Sequence, residues 1–490
     1  MKQIILVPKR NAALLIPKIN DSISYYYLND DYACFLELKE KFEDKIEIRN
    51  LSGIFDEVFQ EIKEPFLELI TNLNKKYHSF EWWGGELASR NPGATPLLLN
   101  ITYLFSVKKI LASLPEKIGF IVCSRALSDC IKTLARAEGF QVRDYQVEII
   151  FFGIIKRWIL NEFRFLRFLK EALQRRKAAI KFLTPLPAQK SLHKKRIIIR
   201  SWFTENTFDK VEIYKDRNFG PLPEWLLSRN YEVWILPMFF NLSSSFETVF
   251  TFMKKQKQLF ILPEHYLKLF DYFELLYSNY KTYNINIENA LIGKTDLTLL
   301  FNEAVETHLF SSSLLNLCNP MLKRLKEKGF EIDGFYYPFE NNTPEKQFIL
   351  SCRKYFHDSK LIAFQHTTFF PNQLAYHLGH GEAEFHPLPD KIVCSGPIYA
   401  ELFEKSGFPN KILVSGPNLR FGAVHEDVAI NRIQLCNSKK ALILPLTFSH
   451  DLAYELLLKV KETIEDSNDY QVYIRSHPLL SKNKLTTFLE

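Results

Sequence analysis

The sequence lacks the short signatures that mark several large protein classes. It contains no G-x-G-x-x-G run and no Walker A loop, which argues against Rossmann dehydrogenases and P-loop NTPases. Its seven cysteines form no CxxC pair and no Cys/His cluster, a pattern typical of reduced thiols in a cytosolic protein. No run of about 18 uncharged apolar residues occurs, so no transmembrane helix is predicted. The start, MKQIILVPKRNAALLIPK, lacks the h-region and cleavage site of a signal peptide and predicts a first strand.

The size and charge of the chain limit its organisation and partners. A chain of 490 residues is too long for one ordinary core and predicts two to four domains. The net charge is +7, but residues 151–200 alone hold fourteen Lys or Arg and two acids, so the basic character is local. Nucleic-acid binding needs a broader basic face with base-reading residues. We therefore expect no nucleic-acid partner.

Short apolar runs alternate with helical patterns along the chain, and there is no internal repeat. This alternation predicts an α/β fold in which parallel sheets are flanked by helices. A single helix is expected over 297–328. The predicted domains are an N-terminal α/β domain (1–150), a basic amphipathic helix and linker (151–190), a Rossmann-like α/β domain (191–430) and a partial donor-binding lobe of one βαβ unit (436–490).

Residues 151–183 predict a long basic amphipathic helix that ends before Thr184-Pro185. Its apolar positions follow spacings of three and four residues: Ile155, Ile159, Phe163, Leu166, Leu169 and Leu173. Two interpretations fit this pattern. The helix either lies on an anionic membrane surface or packs its apolar stripe on a core and exposes its basic face.

Polar residues follow each strand predicted in the second half of the chain. Open parallel sheets bind ligands outside the carboxyl ends of their strands, so these residues are candidates for a binding cleft. The six strand exits are Glu340-Asn341-Asn342, Gln365-His366-Thr367-Thr368, Ser395-Gly396-Pro397, Ser415-Gly416-Pro417-Asn418, Thr447 to His450, and Arg475-Ser476-His477-Pro478.

The last βαβ pattern predicts a phosphate site. Thr447 and Ser449 precede a helix whose free N–H groups and positive dipole end attract an anion. The next strand delivers Arg475 and His477 to the same edge, and a guanidinium offers a fixed fork for phosphate oxygens. The alternative is an ordinary surface loop in which His-Pro ends a strand.

Several runs resemble bacterial surface-carbohydrate transferases of GT-B fold, namely capsule Kdo transferases, CDP-glycerol glycerophosphotransferases and bacterial sialyltransferases. The runs that carry the resemblance are IDGFYYPFENNTPEKQFI, LIAFQHTTF, DKIVCSGP, ILVSGPNLRF, ALILPL, VYIRSHPLL and, more weakly, EWWGGELASRN. It implies that His477 and Pro478 contact the phosphate of a CMP- or CDP-linked donor, with Ser415, Gly416 and Ser449 nearby. It also implies that Gln365 and His366 line the cleft.

In the resembled family the second lobe continues well past the His-Pro loop. Here only one βαβ unit is present, so we expect an incomplete C-terminal lobe. The expected function is a glycosyltransferase that moves a sugar from a nucleotide-activated donor, CMP-linked and Kdo- or sialic-acid-like, to a surface polysaccharide or lipid-linked glycan. The alternative is a non-catalytic or truncated relative that acts as a scaffold or subunit in polysaccharide assembly.

An inverting transferase needs a base that deprotonates the acceptor hydroxyl. Glu340 is the first candidate, His366 the second and Glu86 the third. The alternatives are a helix-capping carboxylate for Glu340, a satisfied buried histidine for His366 and a surface carboxylate for Glu86.

Two further segments carry candidate site residues. Trp82, Trp83 and Arg90 offer an acceptor platform or, alternatively, a hydrophobic plug. The run HLGHGEAEFHP lacks a helical HxxxH pair and predicts a polar active-site loop rather than a metal site, so we expect no metal and no cofactor besides the donor substrate. The expected location is the cytoplasm, with peripheral contact at the inner face of the plasma membrane.

Overall fold

The computed structural model of the chain has a mixed α/β fold in which parallel sheets are flanked by helices. The predicted fold class is therefore confirmed. The residues that the structure describes are 2–19, 23–42, 45–113, 115–145, 150–189, 194–204, 207, 214–240, 242, 244–283, 285–307, 315–420, 440–447, 449–464, 469–477, 480 and 485–486.

The strands coincide closely with the apolar runs of the sequence, because β-branched and aromatic residues dominate those runs. In chain order they are β1 (Gln3–Pro8), β2 (Tyr25–Leu28), β3 (Ile48–Arg49), β4 (Lys117–Val122), β5 (Gln141–Asp144), β6 (Arg196–Phe203), β7 (Glu232–Phe239), β8 (Leu259–Phe260), β9 (Leu291–Ile292), β10 (Thr295–Asp296), β11 (Gly334–Phe339), β12 (Lys360–Gln365), β13 (Lys391–Ser395), β14 (Leu413–Gly416), β15 (Lys440–Pro445) and β16 (Tyr470–Arg475).

Several helices begin at a residue whose side chain accepts a hydrogen bond from a free N–H group of the first turn, as Ser79, Ser124 and Asn342 do. In chain order the helices are α1 (Ala12–Ile19), α2 (Tyr32–Phe42), α3 (Ser52–Tyr77), α4 (Phe80–Trp83), α5 (Glu86–Ser89), α6 (Leu97–Ala112), α7 (Arg125–Ala137), α8 (Ile150–Phe182), α9 (Leu222–Ser228), α10 (Phe246–Lys254), α11 (Leu269–Tyr283), α12 (Thr298–Thr307), α13 (Cys318–Glu327), α14 (Thr343–Tyr355), α15 (Pro397–Lys405) and α16 (His450–Ile464).

The chain divides into two compact units, and neither is continuous in sequence. Unit 1 contains residues 1–60, 100–148 and 429–490, and unit 2 contains residues 61–99 and 149–428. The boundaries predicted from the sequence separate contiguous segments instead. The long helix α8 belongs to unit 2, and the β15–α16–β16 segment belongs to unit 1.

Unit 1 contains a parallel five-stranded sheet in the order β3-β2-β4-β1-β5, with β15 and β16 paired in a separate parallel sheet. Strands β1 and β4 form the centre, and their side chains are buried almost throughout. Such near-continuous apolar strands are typical of a sheet covered on both faces.

Unit 2 contains a parallel seven-stranded sheet in the order β14-β13-β12-β11-β6-β7-β8. Alternate side chains of β6 enter different cores, since Ile198 packs in one cluster and Ile197 and Ile199 pack in another. From β6 the chain first builds outward through β7 and β8. It then returns to the other side of β6 and continues through β11 to β14. The topological switch point therefore lies between β6 and β11, where open α/β sheets bind their ligands.

The single helix expected over 297–328 is wrong. The structure has α12 and α13 instead, and a 3-10 turn at Leu315–Leu317 leads directly into α13. Pro320 stands in the first turn of α13. A proline has no backbone N–H and is tolerated there, but it would interrupt a helix that continued from upstream.

Candidate functional site

The carboxyl ends of β11 and β12 bring Glu340 and His366 together in unit 2. The parallel register pairs Phe339 with Gln365, so the two residues that follow leave the sheet side by side. His366 Nε2 lies 3.2 Å from Glu340 Oε1. The Glu340 side chain is 29% exposed and that of His366 only 7%. Glu340 is therefore the member of the pair that a ligand can reach, and it borders the switch point.

Glu340 is the polar partner that the structure gives to the buried His366 ring. Its Nδ1 is buried and has no hydrogen-bond partner among the described residues. The preceding residue, Gln365, joins the next strand, because its Oε1 accepts the Ser395 N–H at 2.8 Å and its carbonyl accepts the Ser395 hydroxyl at 3.0 Å. Gln365 thus organises the exits of β12 and β13, and its predicted role in lining a cleft remains a prediction.

A reciprocal cap fixes the backbone that carries Glu340. Asn342 caps α14 by accepting the Glu345 N–H at 3.2 Å, and the Glu345 carboxyl accepts the N–H groups of Glu340 and Asn341 at 2.9 Å each. Asn342 also donates to Glu340 Oε2 at 3.0 Å. The capping role considered for Glu340 therefore belongs to Asn342 and Glu345, and the Glu340 carboxylate is left at the strand exit.

Burial and, second, the negative charge of Glu340 raise the pKa of the Glu345 carboxyl to about 8. A carboxyl with such a pKa holds its proton near neutral pH, because desolvation and a like charge both disfavour the ionised form. Two carboxyls in different environments commonly divide acid and base roles in this way. Glu340 is the partly exposed carboxyl of the two, and its role as a base remains a prediction.

Asn341 connects this strand exit to a buried polar network. Its backbone is left-handed, with φ of 54°, and its side chain is buried. Asn341 Nδ2 donates to the Ala375 carbonyl at 2.6 Å, and Asn341 Oδ1 lies 3.0 Å from His386 Nε2. His386 Nδ1 in turn lies 3.0 Å from Glu382 Oε1. The predicted cleft residue Asn341 is thus an interior link rather than an exposed ligand contact.

The network ends on a buried ion pair between Arg90 and Glu382. Two guanidinium nitrogens of Arg90 donate to the two carboxylate oxygens at 2.6 and 2.9 Å, and both side chains are fully buried. Thr71 and Asn74 add hydrogen bonds to the same carboxylate at 2.9 and 2.7 Å. Burial by itself raises the pKa of Glu382, but the Arg90 charge and His386 hold it well below its usual range. These contacts bind residues 61–99 to the loop around Glu382.

Trp82 and Trp83 lie in the same interior, so the acceptor platform expected from Trp82, Trp83 and Arg90 is corrected. Both indoles are at most 2% exposed, whereas a sugar platform needs an accessible aromatic face. Trp82 Nε1 donates to Asn74 Oδ1 at 2.8 Å, and the Trp83 ring meets His386 edge to face at 4.9 Å. The plug interpretation fits these contacts.

Glu86 lies beside the start of α14. Its carboxylate is 3.4 Å from the Thr343 hydroxyl and 3.1 Å from the Ser89 hydroxyl. The structure therefore brings Glu86 near the cap that carries Glu340, and its role as a base remains a prediction.

The predicted donor-phosphate residues belong to different units. Strands β15 and β16 of unit 1 pair in parallel over their whole length, so Thr447, Ser449, Ser476 and His477 follow neighbouring strand ends. Arg475 is exposed. Pro478 lies outside the described residues. Ser415 and Gly416 end β14 in unit 2, three strands along the sheet from β11. Phosphate binding by this set remains a prediction.

Sequence reasoning missed Arg200, Glu345 and Lys346 as parts of the site. Arg200 is 1% exposed on β6, and its Nη1 donates to the Pro344 carbonyl at 3.4 Å. Its charge acts to lower the pKa of Glu345. The signal that could have found Arg200 is a charged residue inside the apolar run RIIIRSWF, since a buried arginine needs acceptors nearby.

Lys346 offers a test of the buried network by pH. Burial and, second, the Arg90 charge lower the pKa of its ammonium to about 7, and its Nζ donates to the Ala88 carbonyl at 2.9 Å. Because the unfolded chain binds this proton more tightly, the stability of the parent should rise as the pH increases from about 7 to about 10.5. We expect Lys346→Met to stabilise unit 2 near pH 7 and to lose this advantage progressively toward pH 10.

The measurement is urea unfolding followed by tryptophan fluorescence. All six tryptophans belong to unit 2, so their emission reports this unit alone. Lys354→Met is the matched control, because Lys354 is exposed on the same helix and should show no such pH-dependent difference. If the free energy of unfolding differs between Lys346→Met and the parent by the same amount at every pH, the expectation is contradicted.

No protein-family model matches this chain, and no curated protein matches it significantly. Among solved structures it is similar to a crystal structure of UDP-N-acetylglucosamine 2-epimerase, at 12% identity and a TM-score of 0.29 over 57% of this chain and 63% of that chain. A weaker likeness, at 9% identity and a TM-score of 0.18, covers 97% of this chain and 42% of an adenylation, ketoreductase and pseudo-Asub structure from a keto acid-selecting NRPS module. Neither likeness bears on function at these scores.

Across the described residues, no helix combines the length and apolar character that crossing a membrane requires.

Proposed function

We propose that the chain is a glycosyltransferase that moves a sugar from a nucleotide-activated donor to a surface polysaccharide or lipid-linked glycan. The observation that carries the proposal is the contact between Glu340 and His366 at the β6/β11 switch point, with Glu340 partly exposed. A base placed at this edge has the chemistry that an inverting transfer needs.

In the proposed reaction Glu340 takes the proton of the acceptor hydroxyl. The acceptor oxygen then forms a bond to the anomeric carbon as the bond to the donor phosphate oxygen breaks, and the nucleotide leaves with that electron pair. His366 donates a hydrogen bond from its Nε2–H to Glu340 and keeps this proton, which fixes the direction of the carboxylate. Glu345, which lies beside the pair, is protonated and therefore adds no second negative charge next to Glu340.

We assign the donor phosphate to Thr447, Ser449, Arg475 and His477 of unit 1, and the proposed donor is CMP-linked and Kdo- or sialic-acid-like. The start of α16 offers free N–H groups, and the exposed Arg475 offers a guanidinium. The resemblance of this segment to surface-carbohydrate transferases supports the assignment. Nucleotide binding tests this assignment separately from the base assignment.

Nucleotide binding is the direct test of the donor assignment. We expect CMP to raise the thermal midpoint by several degrees, because a ligand at about 100 times its Kd stabilises the bound state by about 2.7 kcal/mol. The thermal shifts with CDP and UDP are compared with that of CMP. This comparison identifies the preferred nucleobase and the preferred number of phosphates. His477→Ala should remove most of the shift, whereas His357→Ala should not, since the His357 side chain is 72% exposed in unit 2.

The proposal fails at this point if none of the three nucleotides changes the midpoint. A shift that survives in His477→Ala would overturn the assignment of the β16 exit while leaving the enzyme class open. The second candidate function is a non-catalytic scaffold in polysaccharide assembly. It gains support if nucleotide binds but no transfer occurs with any CMP-linked donor.

A further inference from the structure

Helix α8 carries a row of large apolar side chains on the outside of unit 2. Phe163, Leu166, Leu173 and Ile180 are exposed by 67%, 57%, 41% and 60%. Of the predicted stripe, Phe163, Leu166 and Leu173 are therefore exposed, whereas Leu169 is half-buried. The side chains of Ile155 and Ile159, which the sequence pattern places in the same stripe, lie outside the described residues.

A different face of α8 packs inward. Phe168 and Ala172 enter one core cluster of unit 2, and Ala178 and Ala179 enter another. Arg175 is buried on this side and pairs with Glu264 at 2.6 Å. The inward face thus consists of Phe168, three alanines and one paired arginine. Unit 2 already has its core contact through this face, and the exposed apolar row lies on another face.

Basic residues run beside the apolar row. Leu166, Leu173 and Ile180 recur every seven residues, so they form one line along the helix over about 20 Å. Lys170 and Lys177 recur at the same interval on the adjacent line, and all of them are exposed. Arg167 and Lys181 are also exposed on this side, with Lys181 in a long contact of 3.8 Å with Glu247.

The described part of this exposed face, between residues 163 and 181, contains no acidic side chain. Glu171 is half-buried and lies toward the inward face. This arrangement suits the surface of a lipid bilayer. The apolar side chains of one line can enter the acyl-chain boundary, while the lysine ammonium groups of the adjacent line stay among the lipid headgroups.

We propose that α8 docks unit 2 on a bilayer surface that contains anionic phospholipid. The positive charge of this face favours an anionic bilayer over a second copy of the chain. Two copies of the face would place positive charges opposite each other, and these repel. Each lysine or arginine near an anionic bilayer contributes roughly a fivefold gain in partitioning, while the apolar row supplies the part of the affinity that does not depend on charge. The inference goes beyond the proposed transferase activity and does not depend on it.

Sedimentation of the full chain with lipid vesicles tests the proposal. One vesicle is phosphatidylcholine alone, and the other contains about one third phosphatidylglycerol. We expect binding to the second vesicle only, with a loss as salt rises toward about 1 M, where the Debye length falls to about 3 Å. The triple variant Arg167→Gln, Lys170→Gln and Lys177→Gln should lower the partition coefficient by about a hundredfold.

Matched variants separate the face from general surface effects. Lys328→Gln, Lys354→Gln and Lys360→Gln remove the same charge from exposed positions elsewhere in unit 2 and should leave binding unchanged. Leu166→Gln, Leu173→Gln and Ile180→Gln should weaken binding, whereas Leu291→Gln, Leu299→Gln and Ile398→Gln, at exposed apolar sites elsewhere, should not.

Several outcomes would overturn the proposal. They are an absence of parent binding to the anionic vesicle, equal binding to both vesicles, and equal loss in the α8 and control triples. A dimer in light scattering that the α8 apolar triple converts to monomer, without vesicle binding by the parent, would assign the face to self-association instead. Tryptophan fluorescence unfolding confirms that each variant is folded before it is tested.

Discussion

Replacing Arg90 by alanine is expected to destabilise unit 2 by about 3–5 kcal/mol, because it leaves the fully buried Glu382 carboxylate without its counter-charge. The hydrogen bonds from Thr71 and Asn74 remain, but neither brings a positive charge. Arg90→Lys should recover only part of the loss, since a single ammonium cannot reproduce two parallel hydrogen bonds to the carboxylate.

Urea unfolding followed by tryptophan fluorescence measures this effect in unit 2. The control is Lys405→Ala, which breaks the exposed ion pair between Lys405 and Glu401. Surface pairs of this kind contribute about 0–1 kcal/mol. If Arg90→Ala lowers the free energy of unfolding no more than Lys405→Ala does, the buried pair does not hold residues 61–99 in place.

The Arg90–Glu382 pair also marks the limit of what the sequence predicts. The two residues are separated by 292 positions, and neither run around them carries a periodic pattern that points to the other. Hydrophobic periodicity reports which face of an element is buried, but not which distant element covers it. The burial of Trp82 and Trp83, and the inclusion of residues 61–99 in unit 2, could not be derived for the same reason.

The Glu340–His366 pair could be predicted much better. Its residues follow two strands that are consecutive in the predicted sheet, and consecutive parallel strands joined by one helix usually lie side by side. The strand exits then coincide at one edge. The register that makes Glu340 and His366 direct neighbours, and the reciprocal cap by Asn342 and Glu345, depend on atomic detail that the pattern does not contain.

The exit of β11 is a better candidate for a binding site than the other polar strand exits, because it lies beside the switch point. The exits of β13 and β14 also carry Ser and Gly, but those strands lie farther from β6. Among the strand exits that the structure describes in unit 2, the β11 exit combines a partly exposed carboxylate, a histidine 3.2 Å from it and a position beside β6, where the sheet reverses its order of construction. The proposed chemistry is therefore assigned to Glu340 rather than to the other polar exits.

Glu340→Gln is accordingly expected to lower kcat for sugar transfer by about a hundredfold to ten-thousandfold, the range that removal of a general base produces. Glutamine keeps the oxygen that accepts from Asn342 and the shape of the side chain, so stability should change by less than about 1 kcal/mol. The measurement is nucleotide release from a CMP-linked donor in the presence of an acceptor glycan, with the nucleotide-dependent thermal shift recorded on the same variant.

The matched control is Glu404→Gln, which neutralises an exposed glutamate of α15 in unit 2 and should leave kcat unchanged. His366→Gln should cause a smaller loss than Glu340→Gln and alter the pH profile, because His366 positions the base and does not itself meet the substrate. Retention of more than about one tenth of parental kcat in Glu340→Gln, with donor binding intact, would remove Glu340 as the base. Glu86, held beside the start of α14 through Thr343, would then be the next carboxylate to test.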